Sequence, residues 1–160
     1  MIDDVARPSP RNGGDPHDDF RLPYVIARLD RAIRRGIEAR LAPHDLSIPQ
    51  YTTMSVLHNR PGLSNAQLAR RSFVTPQSMI DVIAALEARG LVKRQADPNH
   101  GRILRARLTP KGKRLYARID KEVAELEEQM LGELSERRRK EFTKSVVSCV
   151  QSLGAGLPEL

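Results

Sequence analysis

Four histidines, one cysteine and a dense run of arginines offer this 160-residue chain its chemistry. His17, His44, His58 and His100 have no metal-ligand spacing, and the single Cys149 excludes an internal disulfide framework and a multi-cysteine zinc site. Neither a metal nor another cofactor is expected. Ser72, Asp97 and His100 are residue types of a hydrolytic set. They have no nucleophile elbow and no ordered triad spacing, so an enzyme is not expected. The arginines and lysines are more informative. Between Arg60 and Arg114 stand twelve basic residues and three acidic ones (Asp81, Glu87, Asp97), a net +9 over 55 residues, whereas the rest of the chain carries −2. Such a concentration favours an anionic partner, although a solvated basic face would have the same composition. The elements that carry these charges therefore decide.

Residues 1–20 hold three prolines, two glycines and five aspartates with little apolar content, which predicts a disordered tail. From Leu22 the pattern changes. Leu22, Ile26, Leu29, Ile33, Ile37 and Leu41 recur at helical spacing, with Pro23 in the first turn and Pro43 at the end. A short helix from Pro49 to about His58 follows, then the turn Asn59-Arg60-Pro61-Gly62. Ser64 and Gln67 make a capping box for a helix over about Asn65 to Arg71. Ser72-Phe73-Val74 breaks it. Thr75 then caps a helix with Pro76 at its first position, with Met79, Val82, Ile83 and Leu86 as its apolar face and Gly90 as its stop.

Two strands, Leu91–Gln95 and Ile103–Leu108, are predicted around the turn-forming run from Ala96 to Gly101. In the second, Leu104, Ala106 and Leu108 share one face and Arg105 and Arg107 the other. Thr109-Pro110 opens a long helix from Lys111 to about Gly132, striped by Leu115, Ile119, Val123, Leu126 and Met130. Ser135 caps a last helix that aligns Phe142, Val146, Cys149, Val150 and Leu153. In that stripe Cys149 is expected to be a buried, inert thiol. No apolar run approaches 18 residues and no apolar leader is visible, so a soluble cytoplasmic protein without a membrane partner is expected.

Two short helices joined by a three-residue break, then a hairpin with a basic loop, describe a winged helix-turn-helix. The fold class expected is mainly α, with a two-stranded β wing. A helix that starts with small polar residues can lay its N-terminal end in a major groove, and Thr75, Gln77 and Ser78 stand at that end. Its partially positive N-terminus also suits phosphate. Asp81, one turn on, would accept from a cytosine amino group or be held in an internal salt bridge, for example to Arg70, Arg71 or another basic neighbour. Arg102 in the hairpin loop suits a narrow minor groove. Arg105 and Arg107 are either the wet face of a half-buried strand or phosphate contacts.

The order and spacing of several runs resemble the MarR (multiple-antibiotic-resistance) family of transcriptional regulators over about Pro23 to Leu153. They are Leu41-Ala42-Pro43 through Ile48-Pro49-Gln50-Tyr51, Pro61-Gly62-Leu63-Ser64 to Ala69, and Val74-Thr75-Pro76-Gln77-Ser78-Met79. Leu86 to Val92, Asp97-Pro98, Gly101-Arg102 and Leu108-Thr109-Pro110-Lys111-Gly112 complete the set. The resemblance implies one domain over 21–155. Helices at about 22–42 and 111–153 would form a helical dimerisation region, and a winged helix at about 48–109 would bind double-stranded DNA. It implies a homodimer, most often a repressor, with Ser64, Arg70, Arg71, Thr75, Gln77, Ser78, Asp81, Arg94 and Arg102 as candidate DNA contacts. A small, often phenolic, effector would lie near the second helix, with His44, Tyr51, Met54 and His58 as candidate contacts. Read as residues alone, Tyr51 and Met54 fit the core and the two histidines the surface. An effector-independent or nucleoid-like DNA binder is the alternative. This chain departs from the family pattern at His100, where the wing usually has Asp, at Ile80-Asp81, usually small polar then Arg, and at His44-Asp45, usually apolar then Gly.

Overall fold

The described residues, in a computed structural model, are 21–97, 99, 101 and 103–155. Helix α1 spans Leu22–Leu41, with Pro23 in its first turn. Its repeating apolar positions bury only Leu41; Leu22 and Ile26 remain at least half exposed. A single 3-10 turn, Ala42–His44, follows and closes on Asp45 in the left-handed region at φ 51°. Asp is among the few side chains that tolerate that region, which is why it can stand where glycine is the default.

Helix α2 (Ile48–Asn59) and helix α3 (Asn65–Arg71) each begin with a complete capping box, Ser47 with Gln50 and Ser64 with Gln67. Each box satisfies two otherwise orphaned N–H groups, and a capping side chain is typically worth about 1 kcal/mol. Helix α4 (Pro76–Ala88) starts at the Thr75 cap and stops before Gly90, whose φ is +66°. The Leu91 N–H is spent on the Leu86 carbonyl at the helix end. The first strand, β1, therefore covers Val92–Ala96, one residue later than its sequence pattern predicts. It pairs antiparallel with β2 (Leu104–Leu108), and Leu63 adds a single bridge to Ala106 at the other edge.

The core lies where these elements meet. Leu41, Met54, Leu57, Leu68, Met79, Ile83, Leu86, Leu91 and Ile119 are all but fully buried. Burying a side chain of this size contributes roughly 1.5–3 kcal/mol before entropy is counted. Helix α5 (Pro110–Leu131) leaves the sheet at a crowded junction: a Cβ on Gly112 would stand 2.0 Å from the Leu91 carbonyl oxygen. Only glycine lets the helix approach the strand that closely. Thr109 seals the same place, capping α5 while its hydroxyl donates to the Gly90 carbonyl at 2.7 Å.

Helix α6 (Glu136–Ser152) buries none of its residues. It is tied to α5 by the Arg139 guanidinium, whose two terminal nitrogens lie 2.5 and 2.6 Å from the Glu128 carboxylate. That guanidinium lowers the Glu128 pKa. Two expectations change here. Cys149 is exposed, because the helix that carries it buries none of its residues against the described part of the protomer. Leu104, placed on one strand face with Ala106 and Leu108, is exposed where those two are buried, because it lies on the lip of an open cleft shared with Ile80 and Ile103. The N-terminal segment 1–20, read as disordered from composition, lies outside the described residues.

Candidate nucleic-acid interface and effector region

The break between α3 and α4 is held by its backbone. The Val74 N–H returns to the Ala69 carbonyl at 3.1 Å, and Phe73 takes a left-handed φ of 54° to make the corner. The Asn65 side chain crosses from the first turn of α3 to donate to the Pro76 carbonyl at 3.0 Å. These contacts set how α4 projects. Its N-terminus is closed by Thr75, whose Oγ1 accepts the Ser78 N–H at 3.1 Å and lies 2.9 Å from the Ser78 hydroxyl.

The helix is divided lengthwise. Met79, Ile83 and Leu86 are buried, while Gln77, Ile80, Asp81, Ala84 and Ala88 recur at three- and four-residue spacing on the opposite, exposed side. Asp81 has no ion-pair or hydrogen-bond partner among the described residues. Of the two expected roles, the internal salt bridge to Arg70 or Arg71 is not formed, because Asp81 is exposed on the side of α4 opposite its buried face. Arg70 is exposed on the last turn of α3 and Arg71 is half-buried. Ser64 is half-buried, its hydroxyl engaged in the capping box.

Two basic side chains that could face a ligand are bound within the fold. Arg94 donates from its Nε to Glu87 at 2.8 Å and from its backbone at 3.0 Å, tying β1 to α4. Arg105 is held by the buried Asp97 at 2.6 Å and reaches the Gly62 carbonyl at 3.2 Å. Arg105 is thus a bracket between the strand pair and the turn before α3, not a loose wet-face residue. Arg107 stays exposed and stands directly opposite Lys93. Arg102 and His100, the wing residues, lie outside the described residues. Of the hydrolytic residue types, Ser72 is buried beside the Thr53 hydroxyl and Asp97 is consumed by Arg105, so neither is free for chemistry.

The four candidate effector contacts separate. Tyr51 and His58 both lean on Tyr116 of α5, at ring-centroid distances of 6.0 and 4.7 Å. The Tyr51 and Tyr116 hydroxyls donate to the same oxygen of Asp120, at 3.0 and 2.8 Å. Burial, then the Asp120 carboxylate, pushes the Tyr51 hydroxyl well above its ordinary pKa. Tyr116 is raised as well, chiefly by burial. Met54 is wholly buried among core side chains and presents no surface to a ligand. His44 is not the ordinary surface residue expected: it is mostly buried, with Nε2 3.3 Å from Glu122 Oε1.

Sequence reasoning missed Ser55, Tyr116, Asp120 and Glu122, and it missed Arg89. The Ser55 and Tyr116 hydroxyls lie 3.3 Å apart. Arg89, at the end of α4, donates to the carbonyls of both His44 and Asp45. It thereby fastens α4 to the connection between α1 and α2. Tyr116 and Asp120 are one turn apart on a helix, a visible signal, but nothing local pairs Asp120 with Tyr51, 69 residues earlier.

Comparison with known proteins agrees with this architecture. The MarR family model matches residues 44–103. The HTH-type transcriptional repressor Rv2887 of Mycobacterium tuberculosis is 36% identical over 127 residues, covering 79% of this chain and 91% of that protein. The structure of Rv2887 in complex with DNA superposes with a TM-score of 0.68 at 32% identity, over 82% of this chain and 98% of that one. Its complex with salicylic acid gives 0.65 at 34%, over 83% and 98%. The repressor CouR bound to a 23-mer DNA duplex gives 0.71 at 27%, over 81% and 92%. With the helix pair, the exposed face of α4 and the hairpin all in place, this chain belongs to the MarR family of winged-helix transcriptional regulators.

Proposed function

We propose that this chain is a homodimeric, sequence-specific DNA-binding repressor of the bacterial cytoplasm. Each protomer lays α4 in a major groove of a pseudo-palindromic operator, with half-sites roughly 34–36 Å apart. The observation that carries this reading is the exposed stripe of α4, capped by Thr75 and set within the segment of net +9. Thr75, Gln77, Ser78 and Asp81 meet the groove. Arg70 and Arg71 meet the backbone, and Arg102 enters the flanking minor groove. Ser64 and Arg94 act through the elements they fasten as much as through any phosphate contact.

Release by a small phenolic acid follows from the relative crystallised with salicylic acid. The ring cluster of Tyr51, His58 and Tyr116 bridges α2 to α5 and is the region where such a ligand would act. A ligand changes the spacing of the two α4 helices only through its differential affinity for the two spacings. A second reading, an effector-independent binder, is favoured by two observations: both tyrosine hydroxyls already donate to Asp120, and Met54 is buried.

Selecting binding sites from a random duplex pool, then titrating the selected site with salt and with salicylic acid, tests both. If each protomer neutralises about 3–5 phosphates, the slope of log K against log salt is about −5 to −9 for the dimer. A slope near zero would overturn the placement of the DNA surface. Affinity untouched by salicylic acid and related phenolic acids would favour the effector-independent reading.

A further inference from the structure

The exposed stripe of α4 carries one side chain that neither the fold nor the charge pattern explains. Ile80 stands between Gln77 and Ala84 on the side turned away from the core and is 46% exposed. Its inward half borders an open cleft of about 450 Å³ between α4 and the wing, shared with Ile83, Leu68, Ile103 and Leu104. Ile103 and Leu104 on the opposite lip are exposed too. The cleft is mostly apolar in a segment that is otherwise strongly basic, and its polar members Ser64, Asn65 and Arg94 are already engaged, by Gln67, Pro76 and Glu87. Among the described residues, nothing desolvates the outer half of Ile80.

A duplex docked on this basic face would do so. The major groove displays a single apolar group, the thymine C5-methyl, beside a pattern of hydrogen-bond donors and acceptors. A β-branched side chain has no donor or acceptor to match the other three bases. It is also stiff at χ1, so little rotamer freedom is lost on contact. We infer that Ile80 is a specificity-determining residue, selecting thymine at one position in each half-site by closing its exposed half on the C5-methyl. This rests on the proposal that α4 enters the major groove, and it adds a base to that proposal. The neighbouring Asp81 would accept from a cytosine amino group; Ile80 contributes a methyl contact that is independent of charge and of salt.

The test uses the full chain and its selected operator. Each thymine is replaced in turn by deoxyuridine, which removes the methyl and leaves every hydrogen-bonding group in place. For the natural sequence, one symmetric pair of positions should weaken binding by about fourfold per half-site, the factor that one buried methyl group is worth. Ile80→Ala should lose affinity for the thymine operator and become indifferent to the replacement at that pair, and Ile80→Val should keep part of the sensitivity. Unchanged circular dichroism and melting temperature of all three proteins confirm that the variants fold. Deoxyuridine without effect at every position would overturn the inference, as would an effect that persists in full in Ile80→Ala. Failure to select any sequence at all would instead overturn the placement of α4 in the groove, and this inference with it.

Discussion

Tyr51 of α2 donates its hydroxyl to Asp120 of α5 at 3.0 Å, and the same carboxylate oxygen accepts from Tyr116. That one oxygen joins the helix bearing on the winged unit to the long helix that leaves it. A carboxylate accepting two hydroxyls is a charge-assisted arrangement, stronger than neutral pairs and sensitive to the loss of either proton.

The pH response follows from the raised tyrosine pKa values. Below pH about 10 the hydroxyls stay protonated in both folded and unfolded chains, so their contribution to stability is constant. Above it the unfolded chain ionises its tyrosines while Tyr51 and Tyr116 hold their protons, and stability falls with each further increase. Tyr51→Phe should cost about 1 kcal/mol at neutral pH. It should also flatten the alkaline loss between about pH 10 and 12. Urea midpoints of both proteins across that range measure the difference; parallel curves would count against the clamp.

The junction at Gly112 tolerates no side chain. A Cβ there would meet backbone, the Leu91 carbonyl oxygen at 2.0 Å, and backbone at a strand end cannot give way as a flexible side chain would. Gly112→Ala should destabilise by about 3 kcal/mol and lower the melting temperature by roughly 10 °C at fixed protomer concentration. Thermal melts check this, and a shift of a degree or two would mean that α5 can move away from the sheet.

The apolar face left open on α6 and on the start of α1 predicts an obligate dimer. Val146 is 45% exposed and Leu153 86% exposed in the protomer, beside the exposed Phe142. Together with Leu22, Tyr24, Val25 and Ile26 this is more apolar surface than isolated exposed residues account for. Val146→Asp or Val150→Asp should give monomer or aggregate on size exclusion with light scattering. Stable dimers with unchanged melting in both variants would remove α6 from the interface.

Asp81 is a carboxylate without a partner among the described residues, on a surface of the opposite sign, and that makes its role separable. As a base reader, Asp81→Asn should change the favoured base at one position per half-site, from cytosine toward adenine, because the amide can both donate and accept. Profiling both proteins against one randomised operator library is the measurement. An unchanged profile with a uniform rise in affinity would show that Asp81 only opposes the phosphates.

Much of the architecture was legible in the sequence because it is local. The capping signals at Ser64 and Thr75, the apolar periods and Gly90 act within a turn or two of themselves, and the helices begin and end close to where those residues predict. The concentration of charge between Arg60 and Arg114 is likewise plain in the sequence. What the linear order could not disclose is which charges remain available. Glu87 takes Arg94 and Asp97 takes Arg105, while Asp81 has no partner among the described residues. The Tyr51–Asp120–Tyr116 clamp and the burial of Met54 are also products of packing. Periodicity shows that a residue lies on an apolar or a polar face. Only the docking of distant elements decides which partner fills that face, because contact and desolvation energies act between atoms that are close in space, however far apart they are along the chain.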